Sequence, residues 1–414
     1  SGTEPTKFKG ALTAGKTYRY VEVGPPDGYA YTDAVEFTVS EDGSIDKVVM
    51  QDKLTSVSFT KEDFAGHEVP GATVSLKSYK VNGEAANKDT TGGKWETVDE
   101  WISSDDCIEH PHKIEGKLTP GASYRYHEEA APDGYAYSED IEFTLDRNGI
   151  VSDAHYIDED GQTIIYDGNG FPNEDVKAVK SEDENYIYTM NGETLTENGN
   201  ALYKPDGTKV SGTDGYKVQI EVINNVIRMK DAPTDVVFTK EDFAGNEVPG
   251  ADVELKKYDK ETGTWKTVDK WTSEKTNEET GKVNAHELKG TLSSGETYRY
   301  HEEAAPDGYF YSEDIEFTID KKGRVTDAHY IDKDGNTIAY DKNGYPLETV
   351  TVKTDKNGQR EFYYDGEKVT EKDGTLSKNG VTLIEGIKVD IEIDGNVVRM
   401  KDAPIKVKLT KKRF

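Results

Sequence analysis

Phe59–Gly71, FTKEDFAGHEVPG, returns as Phe238–Gly250, FTKEDFAGNEVPG, and Tyr124–Tyr135, YRYHEEAAPDGY, returns unchanged as Tyr298–Tyr309. A third motif, RMKDAP, occupies Arg228–Pro233 and Arg399–Pro404. Each motif alternates in the same way. Val57, Phe59 and Lys61 lie two residues apart, as do Tyr124, Tyr126 and Glu128, and Ile227, Met229 and Asp231. Residues two apart on a β-strand share a face. Each strand therefore sets one ionisable group beside large apolar side chains, on the face expected to pack inward. The second copy repeats the pattern with Lys240, Glu302 and Asp402. A buried lysine and two buried carboxyls in one small core are costly unless they pair or react.

Self-similarity on this scale sets the organisation of the chain. Two complete units are expected, at about 55–233 and 234–404. Residues 1–54 read as the rear of an earlier unit, with Glu22 and Asp52 at the matching positions, and 405–414 as the opening strand of a following one, with Lys411. Within a unit we expect strands at Ser56–Lys61, Ala72–Tyr79, Ser123–Glu129 and Ile141–Asp146, with a further segment at Trp95–Ser103. A closing hairpin follows, with Val218, Ile220 and Val222 on one arm and Ile227 and Met229 on the other. Its joint is Asn224-Asn225, or Asp394-Gly395 in the later unit. About 70 residues separate this hairpin from the preceding strands in each complete unit, roughly 152–217 and 326–387, and their hairpin-like text predicts an inserted β-meander. No segment has the periodicity of an amphipathic helix. The expected fold class is all-β, with tandem sandwiches.

Composition agrees. Among 414 residues, 34% are hydrophobic and 32% charged, which suits several small cores better than one large one. The 39 Gly supply turns, and 25 Tyr argue against a disordered chain. A formal charge of −30 repels nucleic acid and anionic membranes, so neither is an expected partner. Cys107 is the single cysteine, which excludes an intrachain disulfide. No stretch reads as a signal peptide, a membrane span or a wall-sorting signal, so anchoring is expected to come from a segment outside this chain.

A lysine attacks a carbonyl only as the neutral amine, and burial in an apolar core favours that form. The same burial favours a protonated carboxyl, which is the electrophilic form, and a second carboxyl can carry the proton between them. Oriented neighbours reach effective molarities of roughly 10⁵ M or more. The expected product is a Lys–Asp amide with loss of one water, formed once per triad, with no cofactor and no metal. This is self-modification, not enzymatic turnover on an outside substrate.

The run of FTKED, EVPGA, YRYHEEAAPDGY and RMKDAP resembles the collagen-adhesin B-type (CnaB-like) domains of Gram-positive surface adhesins and pilins. The resemblance covers both complete units apart from their insertions. It implies an inverse immunoglobulin-like (prealbumin-like) sandwich with a spontaneous isopeptide bond between first and last strands. It also implies the triads Lys61–Glu128–Asp231 and Lys240–Glu302–Asp402, with glutamate as the proton shuttle, and an extracellular location on the bacterial surface. Many members carry Asn where Asp231 and Asp402 stand here, so this chain would release water instead of ammonia.

Other readings use the same residues. The inserted meanders and the segments bearing Trp95, Trp101, Trp265 and Trp271 would serve a binding module for a glycan or host matrix protein, although core packing is the default for the tryptophans. Lys411 reaching Asp52 of a neighbour, with Glu22 assisting, would make a polymerising fibre subunit. Glu129, Glu303, His127 and His301 point to the opposite face from the triads and read as surface residues. His110, His112, His155 and His329 lack an evident third metal ligand.

Overall fold

A computed structural model of the chain describes residues 9–183, 185–276, 285–356 and 358–406. Among them every regular element is a strand. The chain divides into two compact units, Ser1–Ala131 with Ser138–Asp231, and Pro132–Tyr137 with Ala232–Phe414.

In the first unit, two sheets face each other. One is a six-stranded antiparallel sheet. Its order runs Val151–Ile157, Asp140–Leu145, Ser123–Ala130, Thr73–Val81, with Lys94–Ile102 and the short Glu84–Ala85 both paired to Thr73–Val81. The other has three strands, with the opening strand Ser56–Asp63 between His112–Glu115 and the closing strand Val226–Asp231. Alternation drives the packing. Val57 and Phe59, Val74 and Leu76, Tyr124 and Tyr126, Ile141 and Phe143, and Ile227 and Met229 all point into one buried cluster.

The opening and closing strands run parallel, with Phe59 opposite Ile227 and Lys61 opposite Met229. This departs from the expected closing hairpin. The turn does form: Asn224 and Asn225 take φ of 56° and 59°, as a tight two-residue turn requires. Yet Ile223 and Val226 make only an isolated bridge, and the arm before it leaves to join other strands, Lys217 at Tyr166 and Gln219 at His155. The closing strand is better satisfied by the buried edge of the opening strand. In the second unit the left-handed pair is Gly395-Asn396, one residue later than expected.

Asn225 is the clip that sets this register. Its Nδ2 donates to the carbonyls of Ser56 and Gly149, both at 2.9 Å, and its Oδ1 accepts from Val151 N at 2.7 Å. Asn396 makes the same three bonds in the second unit, to Asp235, Gly323 and Val325.

The second unit repeats the plan. Asp235–Asp242 lies between His286–Lys289 and the parallel closing strand Val397–Asp402. The facing sheet has eleven strands. Both insertions are antiparallel β-structure, but they start later than 152 and 326. Val151–Ile157 and Val325–Ile331 ladder onto the main sheets and belong to them. In the first unit the insertion forms separate four- and two-stranded sheets around Ile165, Val176, Leu202 and Val218. In the second it continues the main sheet around Val350, Val352, Phe362 and Leu376.

The N-terminal segment has short pairs, Thr17–Tyr20 with Val35–Thr38 and Tyr29–Ala30 with Lys53–Leu54. No strand forms at Val48–Asp52, where the repeat would place the closing strand of the partial first unit. Elsewhere such a strand is held by its opening partner, and none lies beside it among the described residues. Most of the opening strand expected at 405–414, with Lys411, falls outside the described residues.

Replacing Asn225 with Ala removes three hydrogen bonds and leaves a Cβ-bearing residue without local support at positive φ. We expect the first unit to lose about 2–4 kcal/mol in urea unfolding measured on a Lys61→Ala background, with little change from Asn224→Gly, which keeps the positive φ.

Candidate functional site

The alternation that builds the sandwich carries three ionisable side chains into it. Lys61 extends the inward row of Val57 and Phe59, and Asp231 that of Ile227 and Met229 on the neighbouring parallel strand. Glu128 extends the row of Tyr124 and Tyr126 on the opposite sheet. Lys61 is 1% exposed, Glu128 3% and Asp231 0%. Lys240, Glu302 and Asp402 are likewise sealed in the second unit. These residues do not reach solvent at strand ends.

Lys61 Nζ lies 2.9 Å from Glu128 Oε1 and in closer contact with Asp231 Oδ1. In the second unit Lys240 Nζ is 2.9 Å from Glu302 Oε1 and 2.5 Å from Asp402 Oδ1. Asp231 Oδ2 and Asp402 Oδ2 are buried without a hydrogen-bond partner among the described residues. One cation therefore faces two carboxyl groups in a space without water contact.

A serine completes each site, and the motif reading overlooked it. Ser138 Oγ accepts from Lys61 Nζ at 2.9 Å, touches Asp231 Oδ1, and donates to the Lys230 carbonyl at 2.8 Å. Its backbone N–H donates to Glu128 Oε2 at 2.7 Å. Ser312 does the same with Lys240, Asp402, Lys401 and Glu302. Both follow the PDGY turn by three residues. A hydroxyl at that position in every copy (Thr32, Ser138, Ser312) was the available signal.

Burial pushes the Glu128 carboxyl up to about 7, helped by the neighbouring Asp231 and opposed by Lys61. Glu302 is raised for the same leading reason. Tyr126, which donates to Thr60 O, and Tyr300 are pushed well above the usual phenol range by burial and by the adjacent glutamate. Aromatic rings form the wall. Phe59 meets Tyr126 edge-on at 5.0 Å, and Trp101 stacks on Tyr126 at 5.6 Å and on His112 at 4.0 Å. Trp271, Tyr300 and His286 repeat the stack. Trp101 and Trp271 thus pack around the site, while Trp95 and Trp265 lie under Arg125 and Arg299 at 4.4 and 4.1 Å. Cys107 is buried behind the lysine, its Sγ 3.1 Å from Lys61 O.

Glu22 and Asp52 are brought together, without a lysine among the described residues. Thr32 N donates to Glu22 Oε2 at 2.8 Å, and Thr32 Oγ1 donates to Asp52 Oδ1 at 3.1 Å and Gln51 O at 2.9 Å. Asp52 is exposed, and Lys411 lies outside the described residues.

The family model for the SpaA prealbumin-like fold domain matches residues 55–160 and 234–334, half of the chain. Among solved structures, the chain is similar to the C-terminal fragment of the pilus adhesin SpaC from Lactobacillus rhamnosus GG. The identity is 15% and the TM-score 0.29, over 86% of this chain and 99% of that one. The open form of the whole SpaC adhesin matches at 14% identity and a TM-score of 0.30, over 93% of this chain and 35% of that one. The shaft pilin SpaA from the same organism matches at 15% and 0.24, over 64% and 94%. No curated protein matches.

Glu128 binds its proton more tightly folded than unfolded. The stabilisation from that proton is complete below about pH 4.5 and is lost as pH rises through about 7. Lys61→Ala removes the cation that opposes this shift. We expect that variant's first unit to be about 3 kcal/mol less stable at mildly alkaline than at mildly acidic pH, by urea unfolding. Adding Glu128→Gln should flatten the profile.

Proposed function

Given that the chain belongs to the SpaA prealbumin-like fold domain family, we propose that it is a structural segment of a Gram-positive pilus or surface adhesin. In this reading each module is closed by a Lys–Asp amide, Lys61 to Asp231 and Lys240 to Asp402. The observation that carries the reading is the sealed lysine of the first strand, held between the aspartate of the last strand and a glutamate of the facing sheet, and duplicated in both units.

The chemistry follows from the contacts. Glu128, poised near neutrality, takes a proton from the Lys61 ammonium and passes it to Asp231. The neutral amine attacks Asp231 Cγ in its acid form, with Ser138 holding Oδ1 in place. The Nζ–Cγ bond forms and one Cγ–O bond breaks. Two of the three ammonium protons depart with that oxygen as water, and Glu128 ends as it began. Preorganisation supplies the rate, because all three groups are fixed by strands before reaction.

Such a bond changes how force travels. Asp231 and Lys240 are nine residues apart in the chain. Tension entering at Lys61 would cross to Asp231, run along that short link to Lys240, and cross to Asp402. The strands and insertion between each pair would carry no load.

The intact protein should weigh two waters less than its sequence. Lys61→Ala should restore one and Lys61→Ala with Lys240→Ala both; full mass in the unaltered chain would refute the amide. Ser138→Ala should slow closure of the first module about tenfold to a hundredfold, followed by mass after refolding. Single-molecule pulling should show no whole-module extension in the unaltered chain and two such steps in the double variant.

A further inference from the structure

The first unit holds a cavity that the Lys–Asp chemistry does not use. A solvent-open hollow of about 190 Å³ lies where the main-sheet strands Asp140–Leu145 and Val151–Ile157 meet the insertion strands Pro172–Lys180 and Tyr186–Met190. This is below the roughly 300 Å³ of sites for drug-sized molecules, and suits one small ring.

Its floor carries an unanswered polar group. His155 is only 7% exposed. Its Nδ1 lies 2.7 Å from Asp153 O, so the ring hydrogen sits there and donates to the carbonyl. Nε2 is buried and has no hydrogen-bond partner among the described residues. Burial pushes the imidazole below its ordinary range, which keeps it neutral and leaves Nε2 as a bare acceptor. Glu142 Oε1 lies 3.8 Å away, beyond hydrogen-bond distance, and is itself in contact with Lys88 Nζ. His155 Nε2 is thus the one acceptor of this pair left without a donor, and it calls for one from the cavity.

The remaining walls decide what kind of donor. Glu142 is already paired with Lys88 and with Arg125 at 3.4 Å, so a metal ion would have to displace a lysine. Asp153 and Glu142 repel an anion. Lys180 offers hydrogen-bond donors, Asp153 an acceptor, and Tyr186 an aromatic ring at the wall. Interspersed donors and acceptors around one ring match a neutral molecule bearing several hydroxyls.

We propose that this cavity binds a single neutral sugar ring, one hydroxyl of which donates to His155 Nε2. The second unit is not built this way. Thr354 and Arg360 stand where Lys180 and Tyr186 do, Arg360 NH1 is committed to Asp390 at 2.9 Å, and His329 is only partly buried. One site per chain follows.

The test is titration of the full chain with glucose, galactose, mannose, N-acetylglucosamine and N-acetylgalactosamine. Binding is read by calorimetry and by the ¹⁵N resonance of His155 Nε2. At least one sugar should saturate at one per chain and move that resonance. Lys180→Ala, at an exposed position that does not support the core, should weaken binding about fivefold; His155→Leu should abolish it, and Arg360→Ala should leave it unchanged. Lys61→Ala should bind equally well, which separates this site from the amide. No saturable sugar, a cavity filled by water alone, saturation at two per chain, or indifference to both Lys180→Ala and His155→Leu would each overturn the proposal.

Discussion

A lysine ammonium sealed between two carboxyl groups is the constraint on which each module depends. Removing three ionisable groups from water costs several kcal/mol per ion, and their mutual attraction offsets that only with close geometry. Loss of one partner alone would leave an uncompensated buried charge. The surrounding structure is arranged to prevent that. Parallel pairing puts Lys61 and Asp231 on adjacent strands, the facing sheet supplies Glu128, and Ser138 ties all three to the backbone at Lys230. The stack of Phe59, Tyr126, Trp101 and His112 keeps solvent away.

Parallel pairing of terminal strands needs a long connection, because a two-residue turn can join only antiparallel neighbours. Here the whole module is that connection. The tight turn at Asn224-Asn225 does not pair its own arms; it aims the last strand at the first, and the Asn225 side chain pins it to Ser56 and Gly149. The insertions hang before this turn, and each has its own small core. They can therefore diverge without disturbing the triads. The first insertion folds as separate sheets beside a polar cavity, and the second extends the main sheet by further antiparallel strands.

Much of this was readable in the chain. Period-two alternation ending in Lys61, Glu128 and Asp231 marked three inward rows, and their repetition at Lys240, Glu302 and Asp402 made coincidence a poor explanation. Ser138 and Ser312 escaped notice because a serine after a turn is ordinary turn chemistry; only its contacts distinguish it. The expected closing hairpin does not form because the apolar alternation of Val218, Ile220 and Val222 is compatible with any neighbouring strand, and the arm bridges to the main sheet at His155. The start of each insertion was placed too early for a related reason: Val151–Ile157 pairs with Asp140–Leu145, a choice that local pattern does not encode.

By itself the sequence determined the all-β class, the tandem repeat and the inward face of each key strand, because side-chain parity is a local property of extended backbone. Only the tertiary structure decided which strands are neighbours, that the first and last run parallel, and that a serine hydroxyl and an aromatic wall close around the lysine. Those outcomes depend on contacts between residues distant in the chain, such as Lys61 with Ser138, 77 positions away, and with Asp231, 170 away. They are settled by competition among burial, turn geometry and hydrogen-bond satisfaction across the whole module, and not by any single segment.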